Sequence, residues 1–363
     1  MKQLLFIVIS SLIVCCSCSS SKTEVEDTVS ITVSPASFNI KSDASEATIT
    51  IQCNQEWAVA SSNESWCKVS PSGGLAGTAV VKVTFAENTK LEERSTTITV
   101  RSGAERKTID VKQEAGVLKP YRLVWSDEFD DARTADGKGV LVNPSKWYYE
   151  VANKGWVNNE LQAYVAGVRG KDTTAYISDG TLKIIARKSG NDIISARINT
   201  VEAWTYGIFE ARLKLPKGKG TWPAFWMMPK NFTAWPDDGE IDIMEEVGCV
   251  PNEVSSSIHC KAYYHSIGTQ KTAKRIIPNA EGEFHVYKLE WTEDYITTYV
   301  DDVKLFTFLN DKRNDKKTWP FNAPFNLKLN LAWGGDWGGM MGVDESALPC
   351  VYEIDYVRVY QRK

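Results

Sequence analysis

The 363-residue chain has only three histidines, and neither these nor its cysteines show the spacing of zinc ligands. This pattern argues against a catalytic metal. No segment concentrates enough lysine and arginine to neutralise a phosphate backbone, and the formal net charge is −4, which argues against nucleic acid as a partner. The sequence also lacks a glycine-rich dinucleotide loop and the strand–helix alternation of a parallel sheet. It is rich instead in tryptophan, tyrosine and phenylalanine, with 13, 14 and 12 residues.

The N-terminus has the composition of an export signal. A positive start precedes an apolar run over residues 4–14, which is too short to cross a bilayer and suits a signal peptide. A serine-rich, acidic stretch then follows three cysteines: Cys15, Cys16 and Cys18. The segment resembles a bacterial lipoprotein signal, and the resemblance implies lipidation at Cys18, with Cys16 and ordinary secretion as the alternatives.

We therefore expect a signal peptide over residues 1–18 and a flexible tether over 19–28. The protein would be exported as a lipoprotein of the outer membrane or cell surface, with the membrane as a partner through the lipid. Cleavage at Cys18 leaves Cys53, Cys67, Cys249, Cys260 and Cys350. Export permits disulfides, and Cys53–Cys67 and Cys249–Cys260 are the pairs we consider, with buried thiols as an equal alternative.

Residues 29–115 predict a small antiparallel sandwich. Short alternating runs are separated by Ser, Asn and Gly clusters, and no helical period interrupts them. The segment resembles the BACON module, an immunoglobulin-like β-sandwich, on these features: Trp57, Ser65-Trp66, VSPSGG at 69–74, Asn88, Arg94 and VKQ at 111–113. The resemblance implies either carbohydrate binding or a spacer role. Trp57 and Trp66 would be a sugar platform in the first case, and we favour the hydrophobic core for both.

Residues 116–120 form the natural linker, because Gly and Pro break the strand pattern there. Residues 121–363 contain eleven of the thirteen tryptophans and again alternate short strands with turns, which predicts one large all-β domain. Four tryptophans lie in strand-like contexts and are predicted to pack in the core: Trp125, Trp147, Trp291 and Trp319.

The acidic segment at 237–248 carries the candidate chemistry. Alternate residues of a strand share a face, so Glu240 and Asp242 point together. Strict alternation would next bring Met244 and Glu246 to that face, whereas a β-bulge would bring Glu245 there. Paired carboxyls about 5 to 5.5 Å apart suit a retaining glycosidase, and a separation of about 6.5 to 9.5 Å suits an inverting one; spacing alone allows both. A solvated acidic face is the alternative interpretation.

The neighbouring motifs resemble glycoside hydrolase family 16, in the laminarinase-like form with a bulged catalytic motif. They are GTWPAFWMMP at 220–229, EIDIME at 240–245, WSDEF at 125–129, NNELQAY at 158–164, YGIFEAR at 206–212, WPF at 319–321, NLAWGG at 330–335 and DYVRVY at 355–360. The resemblance covers essentially all of 121–363 and implies a concanavalin-like β-jelly-roll with a glycan cleft. It makes Glu240 the nucleophile, Glu245 the general acid/base, and Asp242 the hydrogen-bond partner of the nucleophile.

The same resemblance suggests further site residues. Sugar subsites would be lined by Asn159, Trp222, Trp226 and His259, with Arg212, Trp333 and Trp337 as weaker candidates. No cofactor is expected for catalysis, but relatives hold a structural calcium ion, and the matching ligands are Glu128, the Gly180 carbonyl and Asp355. Oxygen donors of this kind suit Ca²⁺.

We therefore predict a retaining endo-β-glucanase that hydrolyses β-1,3 bonds in laminarin-like or mixed-linkage β-glucan. Agarases, porphyranases and carrageenases share the motif and form the first alternative; basic subsites would be needed for a sulfated substrate, and 216–219 (PKGK) is the nearest basic loop. A non-catalytic β-glucan-binding protein is the second alternative, which the presence of all three acids disfavours.

Overall fold

The structure, a computed structural model, describes residues 28–130 and 140–362. These residues form two compact units that divide between Leu118 and Lys119. The predicted signal peptide and the candidate lipidation site Cys18 lie outside the described residues. Within the described part of the chain, no helix has the length and hydropathy of a membrane span. The fold is all-β, as predicted.

Unit 1 is a sandwich of two sheets. Its described strands are β1 (Ile31–Ser34), β2 (Ser37–Ile40), β3 (Ser45–Cys53), β4 (Trp57–Ser61), β5 (Cys67–Ser70), β6 (Gly73–Gly74), β7 (Gly77–Phe85), β8 (Arg94–Ser102) and β9 (Glu105–Gln113). One sheet has the order β1-β3-β7-β5 and the other β2-β9-β8-β4-β6. Alternate apolar residues of both sheets form one core, as strand periodicity requires.

Trp57 and Trp66 belong to this core. Trp57 is 3% exposed and donates its indole N–H to the Leu75 carbonyl at 3.1 Å. Trp66 is 6% exposed, and the Arg94 guanidinium lies 4.4 Å from its ring centroid. Neither ring offers a free face on which a sugar could stack, so the core interpretation holds.

The five cysteines in the described residues are all free thiols. Cys53 lies opposite Gly77 and Cys67 opposite Phe85, which are the two ends of the nine-residue strand β7. Eight strand steps separate such positions by roughly 26 Å, far beyond disulfide reach. Cys249 and Cys260 likewise flank opposite ends of the strand at Glu253–His259. Neither pair considered from the sequence forms.

Unit 2 is a larger sandwich. Its described strands are β10 (Tyr121–Asp127), β11 (Trp147–Tyr149), β12 (Gln162–Tyr164), β13 (Val168–Arg169), β14 (Asp172–Thr173), β15 (Ala175–Ser178), β16 (Thr181–Ser189), β17 (Asp192–Ser195), β18 (Arg197–Thr200), β19 (Gly207–Lys214), β20 (Thr221–Pro229), β21 (Glu240–Glu245), β22 (Glu253–His259), β23 (Lys271–Ile276), β24 (His285–Trp291), β25 (Tyr295–Val300), β26 (Val303–Leu309), β27 (Phe325–Trp333) and β28 (Cys350–Arg362). A helical turn, α1, spans Gly335–Gly338, and 3₁₀ turns span His265–Ile267 and Glu345–Ala347.

Two large sheets build this unit. The cleft sheet has the order β11-β18-β27-β20-β21-β22-β23. The back sheet has the order β12-β17-β16-β28-β19-β24-β25-β26, with β10 paired to β28 and β15 to β16. Apolar side chains from both sheets form one core, which includes the four tryptophans predicted to pack there.

Strand β27 shows how the sequence pattern positions the site. Phe325, Leu327, Leu329 and Leu331 enter the core, whereas Asn326, Lys328 and Asn330 line a cleft on the opposite face. Because side chains alternate across a strand, every second residue of the cleft sheet is available for ligand contact.

Candidate active site

A cleft of about 1030 Å³ lies on the cleft sheet. Its lining includes the acids Glu240, Asp242 and Glu245 and five tryptophans: Trp156, Trp222, Trp226, Trp235 and Trp337. A sugar has apolar C–H faces and polar hydroxyls, so a groove that combines aromatic rings with a few fixed polar groups suits it.

A register shift in β21 brings the acids together. Glu240 lies opposite His259 and Asp242 opposite Ser257, but the next pair is Glu245 with Ser255. Ile243 and Met244 both enter the core, so two consecutive residues occupy the place of one. This is the local geometry of a β-bulge, and it turns Glu245 toward the cleft. Glu246 is turned away from the cleft and is fully buried.

Each acid has defined neighbours. Trp235 donates its indole N–H to Glu240 Oε2 at 3.1 Å, and Trp222 donates its indole N–H to Glu245 Oε1 at 3.0 Å. His259 Nε2 lies 3.3 Å from Asp242 Oδ2 and 3.9 Å from Glu240 Oε1. Indole N–H groups only donate, so they fix the two glutamates without accepting their protons.

Burial raises the pKa of Glu240, Asp242 and Glu245 to about 8 each. Repulsion from Asp242 adds to the upward shift of both glutamates. Three like charges in one low-dielectric site are unfavourable, so the cluster retains protons at neutral pH and titrates as a unit. The His259 ring and Arg197 oppose the shift of Glu240. The site can therefore hold a protonated acid beside an ionised carboxylate.

A buried ion network supports the Trp226 side of the cleft. Lys328 Nζ contacts Glu150 Oε2 at 3.2 Å, and Arg197 Nε contacts the same oxygen at 2.5 Å. The Arg197 guanidinium lies 4.5 Å from the Trp226 ring centroid, and Lys328 Nζ lies 5.4 Å from it. Burial and Arg197 lower the pKa of Lys328 to about 8. Trp226 also donates to Asn330 Oδ1 at 2.7 Å, so its ring is held on two sides.

Four of the residues suggested as subsites line the cleft: Trp222, Trp226, His259 and Trp337. Trp222 and Trp337 meet edge-on with centroids 5.4 Å apart. Asn159 donates to Asp336 Oδ1 at 2.8 Å, and Asp336 lines the cleft. Asn159 therefore holds a lining residue rather than forming part of the lining itself.

Two weaker candidates were wrong. Arg212 lies on β19 of the back sheet, where it contacts Asp355 Oδ2 at 2.6 Å and lies over the Phe284 ring. Trp333 is fully buried in the core because it shares the strand face of Leu331 and Leu329 rather than that of Asn330. Alternation along β27 excludes Trp333 from the cleft.

The residues expected to hold calcium do not form a ready cation site. Arg358 donates to both oxygens of Glu128, at 3.0 and 2.7 Å. Asp355 accepts from Arg212. Two guanidinium groups therefore already neutralise the carboxylates that Ca²⁺ would need. The Gly180 carbonyl belongs to the turn between β15 and β16.

Trp235, Lys328 and Glu150 were missed by sequence reasoning. Trp235 lies in a loop before β21, where no periodicity indicates its direction. It nevertheless contacts Glu240 and packs at a tilt against the His259 ring, with centroids 5.9 Å apart. Lys328 could have been identified as a cleft residue from the sequence, because it alternates with the apolar residues of β27. Glu150 carries no local signal, since it is 178 residues from its partner Lys328.

Comparison with known proteins gives two family matches. The model of glycosyl hydrolases family 16 matches residues 162–358, and that of BACON, a putative N-terminal binding domain, matches residues 55–114. A β-glucanase from Rhodothermus marinus is 45% identical over 254 residues, which cover 66% of this chain and 85% of that protein.

Solved structures match a similar share of the chain. The laminarinase from Rhodothermus marinus matches with a TM-score of 0.62 and 44% identity, covering 68% of this chain and 99% of its own. SCLam, a non-specific endo-β-1,3(4)-glucanase, matches with a TM-score of 0.62 and 41% identity, covering 68% of this chain and 94% of its own.

Proposed function

The chain belongs to glycosyl hydrolases family 16, and from this premise we propose that it is a retaining endo-β-glucanase. Its substrate is a β-1,3-glucan of the laminarin type or a mixed-linkage β-glucan. Relatives named β-glucanase, laminarinase and endo-β-1,3(4)-glucanase support this substrate class. The observation that carries the proposal is the register shift of β21, because it places Glu245 in the cleft that already contains Glu240.

In the first step, the Glu240 carboxylate attacks the anomeric carbon while the bond to the leaving sugar oxygen breaks. Glu245 gives its proton to that oxygen, and a glycosyl ester forms on Glu240. Trp235 fixes one oxygen of Glu240 by its hydrogen bond, which leaves the oxygen nearer His259 free for attack. Asp242 lies beside the nucleophile and raises the pKa of Glu245, so that Glu245 keeps the proton it must donate.

In the second step, the Glu245 carboxylate takes a proton from water as the water oxygen attacks the anomeric carbon. The ester bond breaks, Glu240 leaves as a carboxylate, and Glu245 is protonated again. Two attacks on the same carbon give net retention. The tryptophans of the cleft hold the flanking sugars by their rings, and Arg197 and Lys328 keep Trp226 in place.

The direct test is product analysis. The purified protein is incubated with laminarin, mixed-linkage glucan, cellulose, agarose and carrageenan, and the released oligosaccharides are identified. We expect reducing ends from laminarin or mixed-linkage glucan, with the β-anomer appearing first by NMR. Release from agarose or carrageenan alone would overturn the substrate class, and binding without release would favour a glucan-binding protein.

The matched variants separate catalysis from folding. Glu240→Ala removes the nucleophile and is expected to abolish turnover while largely preserving laminarin binding. Glu353→Ala, on the back sheet, removes an ion pair with Lys214 outside the cleft and is expected to leave turnover unchanged. Appreciable hydrolysis by Glu240→Ala would contradict the role given to Glu240.

We further propose that the protein is exported and anchored to a membrane through a lipid on Cys18. The support is the N-terminal sequence alone: an apolar run followed by Cys15, Cys16 and Cys18. Metabolic labelling with a radioactive fatty acid tests this proposal. If the wild type is labelled and Cys18→Ser is not, the lipid is on Cys18. If only Cys16→Ser loses the label, the lipid is on Cys16 instead.

For unit 1 we propose a spacer role rather than glycan binding, since Trp57 and Trp66 are both buried. The full chain carrying Glu240→Gln is bound to insoluble β-1,3-glucan and challenged with soluble laminari-oligosaccharides. Complete release is expected if the cleft provides all the binding. A fraction that stays bound at saturating oligosaccharide would show a second glycan site.

A structural calcium ion at Glu128, Gly180 and Asp355 stays a prediction from the family resemblance. The arginine contacts of both carboxylates disfavour it, and melting with and without a chelator tests it.

A further inference from the structure

Three potential metal ligands converge within the cleft. One ligand atom from each of Glu240, Asp242 and His259 lies within 4.8 Å of the other two. Among the residues that the structure describes, no other group of three histidine, cysteine, aspartate or glutamate side chains meets this proximity. The three residues face each other across β21 and β22, where Glu240 and His259 are direct partners.

The spacing suits a small tetrahedral ion. Bonds of about 2.0–2.2 Å at tetrahedral angles put neighbouring ligand atoms roughly 3.3–3.6 Å apart. His259 Nε2 is 3.3 Å from Asp242 Oδ2 and 3.9 Å from Glu240 Oε1. Both separations from His259 Nε2 are therefore within a few tenths of an ångström of those in a tetrahedral site.

The environment of the ligand atoms also points to a cation. Asp242 is 3% exposed, and its buried Oδ2 accepts no hydrogen bond, although His259 Nε2 lies 3.3 Å away. Trp235 donates to Glu240 Oε2, so that the Oε1 atom is the one turned toward His259. A buried carboxylate oxygen without a donor is costly, and a bound cation would satisfy it.

We propose that Glu240, Asp242 and His259 form an inhibitory Zn²⁺ site, with the fourth position open to water. One imidazole and two carboxylates with an open position are a donor set that Zn²⁺ accepts, whereas Ca²⁺ needs six to eight oxygens. Zinc bound there occupies the Glu240 oxygen that attacks the sugar. The inhibition rests on the proposed function, but the binding of zinc does not.

Several other charged or titratable groups face the cluster. Glu245 adds negative charge, whereas Arg197 and Lys328 oppose a cation. His265 packs against His259 with ring centroids 5.3 Å apart.

Calorimetry and kinetics on the full chain test the site. ZnCl₂ is titrated into the protein at pH 7.5, and laminarin hydrolysis is measured with ZnCl₂, with ZnCl₂ plus EDTA, and with CaCl₂. We expect zinc to inhibit, EDTA to restore activity, and calcium at the same concentration to leave it unchanged. Laminari-oligosaccharides are expected to compete with zinc in the calorimetric titration.

Two histidine variants provide the matched comparison. His259→Gln is expected to weaken zinc binding at least about tenfold, and His285→Gln, which lies on β24 beside Asp301, is expected to leave it unchanged. Asp242→Asn is expected to weaken binding as well, with melting temperatures confirming that each variant folds. Equal zinc affinity in the wild type and His259→Gln, or no binding at millimolar zinc, would overturn the proposal. Zinc binding by a chain that hydrolyses no glucan would refute the proposed function and leave the metal site standing.

Discussion

Trp222 and Glu245 are joined by a 3.0 Å hydrogen bond from the indole N–H to Oε1 of the carboxyl group. The bond favours the ionised form and so opposes the burial and the repulsion from Asp242 that raise the pKa of Glu245. Because Trp222 also packs edge-on against Trp337, Glu245 is held by an aromatic pair of the cleft wall. If Glu245 is the proposed acid/base, the orientation of its proton is therefore coupled to the shape of the cleft.

Trp222→Phe keeps the ring and removes the N–H. Hydrogen bonds to charged groups contribute about 1.5–3 kcal/mol, so we expect kcat to fall about 10- to 100-fold. The pKa of Glu245 should rise, which moves the alkaline limb of the kcat profile on laminarin to higher pH. Trp156→Phe, at the Arg197 side of the cleft, is the control and should alter KM without moving that limb. An alkaline limb unchanged in Trp222→Phe would contradict this coupling.

Activity is expected to fall as the pH rises through about 8, because the cluster then loses the proton that Glu245 donates. Asp242→Asn removes a negative charge that raises the pKa of Glu245. The alkaline limb should therefore move to lower pH, on the order of one unit. Asp237→Asn, which removes a surface ion pair with Lys261, is the matched control. Identical limbs in Asp242→Asn and the wild type would show that Asp242 does not set the proton affinity of Glu245.

Behind β21, the fully buried Glu246 interacts with the partly buried Glu281, and this pair also affects stability. Burial, together with repulsion from Glu281, raises the pKa of Glu246 to about 8, so a proton shared by the two carboxyl groups stabilises the pair at neutral pH. Since the folded protein binds more protons than the unfolded chain between about pH 4.5 and 8, this pair makes stability fall as pH rises through that window.

Glu281→Gln keeps a hydrogen-bonding partner and removes the second charge. We compare the melting temperature of Glu281→Gln with that of the wild type at two pH values. The difference, variant minus wild type, is expected to be larger at pH 8.5 than at pH 5. A difference of 1 kcal/mol corresponds to roughly 2–4 °C for a domain of this size. Glu283→Gln, exposed and bonded to Asn279, is the control. A difference that does not vary with pH would exclude a shared proton.

Metal removal tests the calcium prediction. Arg358 and Arg212 already neutralise Glu128 and Asp355, so we expect EDTA to leave the melting temperature unchanged. A fall of several degrees that CaCl₂ reverses in the wild type, but not in Glu128→Gln, would establish a structural calcium ion. Glu210→Gln, also on the back sheet, serves as the control.

Much of the fold follows from local pattern. Alternation of apolar and polar residues predicted β-strands in both units, and the strand-like contexts of Trp125, Trp147, Trp291 and Trp319 placed these residues in the core. The same rule, applied to β27, places Lys328 on the cleft face, opposite its apolar neighbours, and would have removed Trp333 from the candidate subsites. The alternation of side chains along one strand is thus enough to tell which of its residues face the core and which face the cleft.

The sequence by itself determined the two β-rich segments, the linker between them and the pair of acids that share a face of β21, because strand periodicity is a property of neighbouring residues. Tertiary structure alone decided which side chains contact those acids and which contacts hold the rest of the cleft. Trp235 reaches Glu240 from a loop, Asn330 holds Trp226 across 104 residues, and Glu150 neutralises Lys328 across 178. Such contacts depend on loop path and strand order, which no local spacing encodes. The loop path sets the direction of Trp235, and the residues of the other two pairs become neighbours only when the sheets form.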